Sequence, residues 1–184
     1  KVKNGVIECN SIGHPDHQYF WLYNEKEFTD FKLLLKFQVF KSSTGNSGVQ
    51  FRSRYDDAET ARGGGWLNGP QVDIHPPTPF RAGLIYDETD GTNCWIHPKL
   101  PNWEISENDV PEAALQTKLI YADADPTAWN TMEITCLGTK IITFVNGKEN
   151  GPDTTYYETG CPQVIRNHIQ GVESGQWLYM YDST

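Results

Sequence analysis

Phe31-Lys32-Leu33-Leu34-Leu35-Lys36-Phe37-Gln38-Val39 is the stretch on which the fold turns. Its odd positions, Phe31, Leu33, Leu35, Phe37 and Val39, are all apolar, whereas Lys32, Lys36 and Gln38 fall on even ones. A period of two sends the odd set to one face of an extended chain, so the stretch reads as a half-buried antiparallel strand. Working outward, further strands read over residues 48–53, 71–75, 82–87, 130–136 and 140–146. Residues 137–139 form a short hairpin connection between the last two. Asn146-Gly147 then gives a two-residue turn, because both central residues of a type I′ turn need positive φ. Sixteen Gly and eleven Pro punctuate the chain at the spacing of a sandwich or barrel. Helical periodicity is confined to residues 112–119. The expectation is one all-β domain over residues 1–184, a two-sheet antiparallel jelly-roll sandwich. Its expected core is Phe31, Leu33, Leu35, Phe37, Val49, Phe51, Ile74, Met132, Ile134 and Phe144.

The 184 residues carry 15 basic and 24 acidic side chains, a formal charge of −9. An acidic chain without a block of Lys or Arg repels phosphate backbones, which argues against nucleic acid as a partner. No stretch approaches the roughly 18 consecutive apolar residues of a membrane span. Six Trp, nine Tyr and eight Phe supply more aromatic faces than a core alone needs, and exposed ones stack on sugar rings. Cys9, Cys94, Cys136 and Cys161 show no Cys-x-x-Cys spacing and are compatible with two disulfides or with thiols; Cys136, in an apolar strand, reads as a buried thiol. Acidity, four cysteines and a first residue other than Met lead to the expectation of a secreted or periplasmic location.

Strand alternation also sorts polar side chains. Gln50, Arg52 and Arg54 oppose Val49 and Phe51; Gln71, Asp73 and His75 oppose Val72 and Ile74; Tyr86 and Glu88 share a face with Leu84. If these strands are neighbours, one sheet face carries planar donors and acceptors of the kind that recognise sugar hydroxyls and carbonyls. The long intervening segments 55–70, with Trp66, and 89–111, with Trp95, His97 and Trp103, are expected to wall a cleft. His14-Pro15-Asp16-His17 and Asp87-Glu88-Thr89-Asp90-Gly91 are the only metal-like spacings. The second lacks the alternating Asp/Asn of a calcium loop and leaves room for no more than a divalent cation such as calcium beside the cleft. No metal ligand and no cofactor is assigned.

The order of motifs resembles the 3-keto-disaccharide hydrolase family, with its concanavalin A-like jelly roll. Asp30-Phe31-Lys32-Leu33, Gly45-Asn46-Ser47-Gly48-Val49-Gln50-Phe51-Arg52-Ser53 and Gly69-Pro70-Gln71-Val72-Asp73-Ile74 come first. Ala82-Gly83-Leu84-Ile85-Tyr86-Asp87-Glu88, Trp129-Asn130-Thr131-Met132-Glu133-Ile134, Gly138-Thr139-Lys140-Ile141 and Asn146-Gly147 follow. Together they cover about residues 28–150. The resemblance implies cleavage of 3-keto-disaccharides or 3-keto-glycosides, an oligosaccharide or glycoside substrate. A C3 ketone acidifies the C2 proton; a base removes it, the enolate expels the C1 substituent, and water adds back. Such a site needs a base and donors for the enolate oxygen, not two carboxylates at a fixed separation. On this reading Asp73 or Glu88 is the base or a metal ligand, and Arg52 holds a substrate oxygen or the enolate. Gln50, Gln71 and Tyr86 bind hydroxyls, His75 and His97 serve as acid, base or ligand, and Trp66, Trp95 and Trp103 form a sugar platform. Trp95 or His97 is expected at the edge of a single concave surface. A non-catalytic, lectin-like carbohydrate-binding module is the alternative, since fold alone does not fix function.

Overall fold

The computed structural model describes residues 2–9, 21–42, 45–58, 65–92 and 94–149, and strand backbone beyond them. In chain order the strands are β1 (Val2–Lys3), β2 (Val6–Ile7), β3 (Phe31–Phe37), β4 (Ser47–Gln50), β5 (Arg54–Asp56) and β6 (Trp66–Asn68). Next come β7 (Pro70–Ile74), β8 (Ile85–Asp87), β9 (Cys94–His97), β10 (Asn130–Leu137), β11 (Lys140–Val145) and β12 (Lys148–Glu149). The last are β13 (Asp153–Tyr156), β14 (Pro162–Arg166), β15 (His168–Ile169), β16 (Val172–Glu173) and β17 (Leu178–Tyr179). Among the described residues, helix is limited to α1 (Glu112–Leu115) and single 3-10 turns at Pro79–Arg81 and Glu107–Asp109. No helix among the described residues is long and apolar enough to cross a membrane.

Two antiparallel sheets make a β-sandwich. One is seven-stranded, in the order β17-β14-β13-β11-β10-β3 with β12 attached to β11; the other runs β4-β7-β8-β9. Alternation along β3 is as its residues dictate, with Lys32, Leu34 and Lys36 exposed and Lys32 Nζ 2.5 Å from Glu133 on β10. Val72, Ile74, Ile85 and Ile96 of the smaller sheet pack on Met132, Ile134, Cys136, Ile141 and Val145 of the larger, flanked by Phe31, Leu33, Leu35, Phe37 and Val49. The buried Thr143 hydroxyl crosses between the layers to donate to Gly83 O at 2.7 Å. Cys136 is a fully buried thiol whose pKa burial pushes up to about 11, so it acts as a small apolar filler.

Several boundaries move. Asn146 and Gly147 take φ of 52° and 75°, the type I′ turn their residue types specify. The strand expected over 48–53 stops at Gln50, because Arg52 takes φ 51° and breaks the pleat. The one expected over 82–87 starts at Ile85, since the turn at Pro79–Arg81 occupies the approach and Gly83 takes φ 92°. The helix expected over 112–119 is a single turn. Phe144 is not in the core: β11 is apolar on both faces, and register places Ile141, Thr143 and Val145 inward while Phe144 pairs with Glu133 on the outer side.

Candidate active site

The polar face is assembled by register. Gln50 pairs with Gln71, Gln71 with Tyr86, and Tyr86 with Trp95, so four directly opposed side chains cross β4, β7, β8 and β9 on one face. Gly48 lies opposite Asp73, and the Asp73 amide donates to Leu84 O at 2.9 Å. Because Val72, Ile74 and Ile85 fill the sandwich core, this set occupies the sheet's outer face. A second apolar cluster closes over part of it. Leu84, Trp95 and Ala114 are buried there with Tyr86, Leu100, Ile105 and Val110 against them, so the chain that follows β9 folds back onto the face.

Beside that cluster, Asp73 is 1% exposed and accepts a hydrogen bond from Arg81 Nε at 2.9 Å. The Arg81 guanidinium rests 4.9 Å from the centre of the Trp95 ring, and Tyr86 meets the same ring edge-on at 5.0 Å. Trp95 is therefore a shelf beneath the arginine. Burial raises the Asp73 pKa from 3.8 to about 7 against the opposing pull of Arg81; the nearby Glu88 charge adds to the rise. Asp73 Oδ1 is buried without a hydrogen-bond partner among the described residues. Glu88, partly buried, accepts from Gln71 Nε2 at 3.2 Å. The Arg81 terminal amino groups make no hydrogen bond among the described residues.

Gln71 can lie over this face because residue 48 has no side chain. A Cβ built on Gly48 would sit 2.4 Å from Gln71 Cδ and 2.7 Å from the Val72 carbonyl oxygen. The glutamine end could swing away, but the carbonyl belongs to the sheet. Gly48→Ala should therefore break the Gln71–Glu88 bond and cost about 1–3 kcal/mol of stability by overpacking. Urea denaturation measures this; an unchanged midpoint would show that the face has slack.

Other expected site residues are placed differently. Arg52 does not join the face: its positive φ turns the side chain away, its Nη2 lies 3.9 Å from Asp30 Oδ1, and its charge is felt at Cys136. Arg81, which alternation alone never singled out, stands where Arg52 was expected. Gln50 is on the face, but its amide is committed at both ends, accepting from Trp21 Nε1 at 2.9 Å and donating to Leu67 O. His75 is partly buried at the end of β7, and its pKa is lowered to about 4, first by burial and then by Arg81. His97 is buried away from the edge where it was expected. A bulge sets it opposite Ile85 instead of Ile96, and burial alone lowers its pKa to about 3. Nor is Trp95 an edge residue, being 1% exposed with Nε1 donating to Trp103 O at 3.0 Å. Trp66 is buried too and donates to Glu88 O at 2.7 Å, while Trp103 is 64% exposed.

His14 to His17 lie outside the described residues. Among the described residues no three of His, Cys, Asp and Glu come together as a metal site. In the acidic stretch, Asp87 Oδ1 accepts from the Thr89 amide at 2.9 Å, and the Asp90 amide donates to Asn68 Oδ1 at 2.8 Å. Those bonds make the stretch a turn that carries Glu88 to the face.

What remains is a guanidinium held by Asp73 and Trp95, with the Gln71–Glu88 pair on the same face and the His75 ring near enough to feel its charge. Such a group can receive an oxygen that becomes negatively charged while a neighbouring carboxylate takes a proton. A search of curated proteins finds no match to the chain. A family model described as a 3-keto-alpha-glucoside-1,2-lyase-like domain matches residues 1–154, a span that includes every strand of this face. By that match the chain belongs to the 3-keto-alpha-glucoside-1,2-lyase-like family of carbohydrate-active domains.

Proposed function

We propose that the chain removes the C1 substituent of a 3-keto-glycoside by elimination, with Glu88 as base and Arg81 as the cation for the enolate oxygen. The observation that carries this reading is the state of Arg81. Its Nε is tied to a buried carboxyl and its guanidinium carbon rests 4.9 Å from the Trp95 ring centre, while both terminal amino groups are unengaged among the described residues. A guanidinium fixed in this way reaches a developing oxyanion without reorganising. The C2–H bond breaks toward Glu88, and its electron pair runs into the C3 carbonyl, leaving the oxygen negative beside Arg81. The enolate then re-forms the ketone, makes a C1–C2 double bond and expels the C1 oxygen, which takes up a proton. Addition of water across that double bond completes net hydrolysis. Asp73, at 1% exposure, is the group behind the arginine and orients it. Glu88, partly open and beside Gln71, is the carboxylate that a sugar could reach.

Incubation with a 3-keto-glucoside in deuterated buffer tests the reaction class. The expected result is aglycone release with solvent deuterium entering C2, no action on the unoxidised glycoside, and a loss of about 100- to 10,000-fold in kcat for Glu88→Gln. Binding of the sugar without turnover would make the domain a lectin-like module. Release from the unoxidised glycoside would point to ordinary glycosidase chemistry.

A further inference from the structure

The neighbour of Arg81 at the other end of β7 is His75, and its ring is oriented by a local contact. Thr78 Oγ1 lies 2.6 Å from His75 Nδ1, and the Thr78 backbone amide points at the same nitrogen from 3.2 Å. A backbone N–H can only donate, so a proton on Nδ1 would face another proton. The neutral ring accordingly carries its hydrogen on Nε2. Among the described residues Nε2 has no partner, and the side chain is partly open. His75 follows directly on Ile74, the last residue of β7, and its ring lies within reach of the Arg81 charge.

From this geometry we infer that His75 is a second electrophile of the reaction, a neutral imidazole whose Nε2–H donates to the C3 oxygen of the sugar alongside Arg81. The inference rests on the elimination reading. Position decides which oxygen is addressed. Glu88 is held by Gln71 near the start of β7, Arg81 by Asp73 further along it, and His75 follows directly on its last residue, Ile74, within reach of the Arg81 charge. A donor within reach of the arginine meets the oxygen that the arginine meets. Burial and the Arg81 charge keep the ring neutral at pH 7. A neutral imidazole is a weak acid matched to an enolate, so it can strengthen its hydrogen bond as charge develops and still keep its proton. Thr78, which sits at the start of the Pro79–Arg81 turn, thus fixes the tautomer of one donor while the turn itself delivers the other.

Nitrogen-15 spectra of the full chain at pH 7 should show His75 Nδ1 as an acceptor and Nε2 as protonated. The Nε2–H resonance should shift on adding a 1,5-anhydro-3-keto sugar, which has no exocyclic group at C1 to expel. In kinetics, His75→Leu should lower kcat about 100-fold with little change in KM, while His75→Gln, whose amide keeps an N–H near the same place, recovers at least about tenfold of that loss. Thermal unfolding of each variant checks that the fold persists, and a purely structural histidine would not divide Leu from Gln in kcat. A protonated Nδ1, or wild-type kcat in a folded His75→Leu, overturns the inference. If the wild-type chain turns over no 3-keto-glycoside yet the Nε2–H resonance moves with the 1,5-anhydro sugar, the elimination reading falls and the hydrogen bond stands. If the resonance stays still, the inference falls whatever the kinetics show.

Discussion

Arg81→Leu is expected to lower turnover of a 3-keto-glycoside by about 100- to 1,000-fold, the usual cost of removing a fixed oxyanion donor. The same change leaves Asp73 buried without its partner, and breaking a buried pair from one side costs about 3–5 kcal/mol when the remaining charge stays. Asp73 can escape that cost by taking a proton. Burial already lifts its pKa to about 7, and without the opposing pull of Arg81 the value moves further up. The stability deficit of Arg81→Leu should therefore shrink as pH falls from 8 to 6. Adding Asp73→Asn should restore much of the stability at pH 8 and none of the turnover. Arg81→Lys keeps the charge but loses the Nε–H that reaches Asp73 and the guanidinium that rests over Trp95, so its turnover should fall between wild type and Arg81→Leu. Turnover in the double variant within about tenfold of wild type would remove Arg81 from the chemistry.

The contrast between Arg52 and Arg81 shows what the sequence makes legible. Period two in residues 31–39 places Leu33 and Leu35 against the core and Lys32 and Lys36 outside, and the structure keeps that order because one face has water and the other does not. The same rule places Gln50, Gln71, Asp73 and Tyr86 on one face correctly. It fails wherever backbone leaves the pleat. Arg52 sits one residue after Phe51 at φ 51°, so counting by twos no longer tells where its side chain goes. Arg81 belongs to no strand. A 3-10 turn that opens at Pro79 swings it back onto Asp73 eight residues earlier. One signal was available: a carboxylate opposite Gly48, in a strand whose other face is Val72 and Ile74, needs a cation, and Arg81 follows the Pro-rich turn that ends the strand. Phe144 was misplaced for a different reason. When Ile141, Ile142, Phe144 and Val145 make both faces apolar, only the pairing partner decides which face is inside. The bulge that sets His97 opposite Ile85 is not read by counting in twos.

His97 gives the second large effect, through stability as pH falls. Its ring is 4% exposed with Nδ1 unpartnered among the described residues, and burial lowers its pKa from 6.5 to about 3. Between those values the unfolded chain binds a proton that the folded chain refuses. The free energy of unfolding is thus lowered by about 1.4 kcal/mol for each pH unit below 6.5. The contribution is fully present above pH 6.5 and is lost on acidification. His75 acts in the same direction, with its pKa lowered to about 4. Asp73 opposes both: its folded pKa is raised from 3.8 to about 7, so the folded chain keeps a proton that the unfolded chain releases. The stability it adds is complete below pH 3.8 and is lost as pH rises toward 7. Single variants separate the signs. His97→Leu gives up no hydrogen bond at Nδ1 to the described residues and should flatten the acid limb, making the pH 4 to pH 6 difference in unfolding free energy about 3 kcal/mol smaller than in wild type. Asp73→Asn should steepen the same limb. Urea titrations at pH 4, 5, 6 and 7 read both slopes directly. An acid limb in His97→Leu that matches wild type would mean that the ring takes up its proton in the folded chain. His97 would then have to reach water or an acceptor, and the bulge that turns it inward would not seal it.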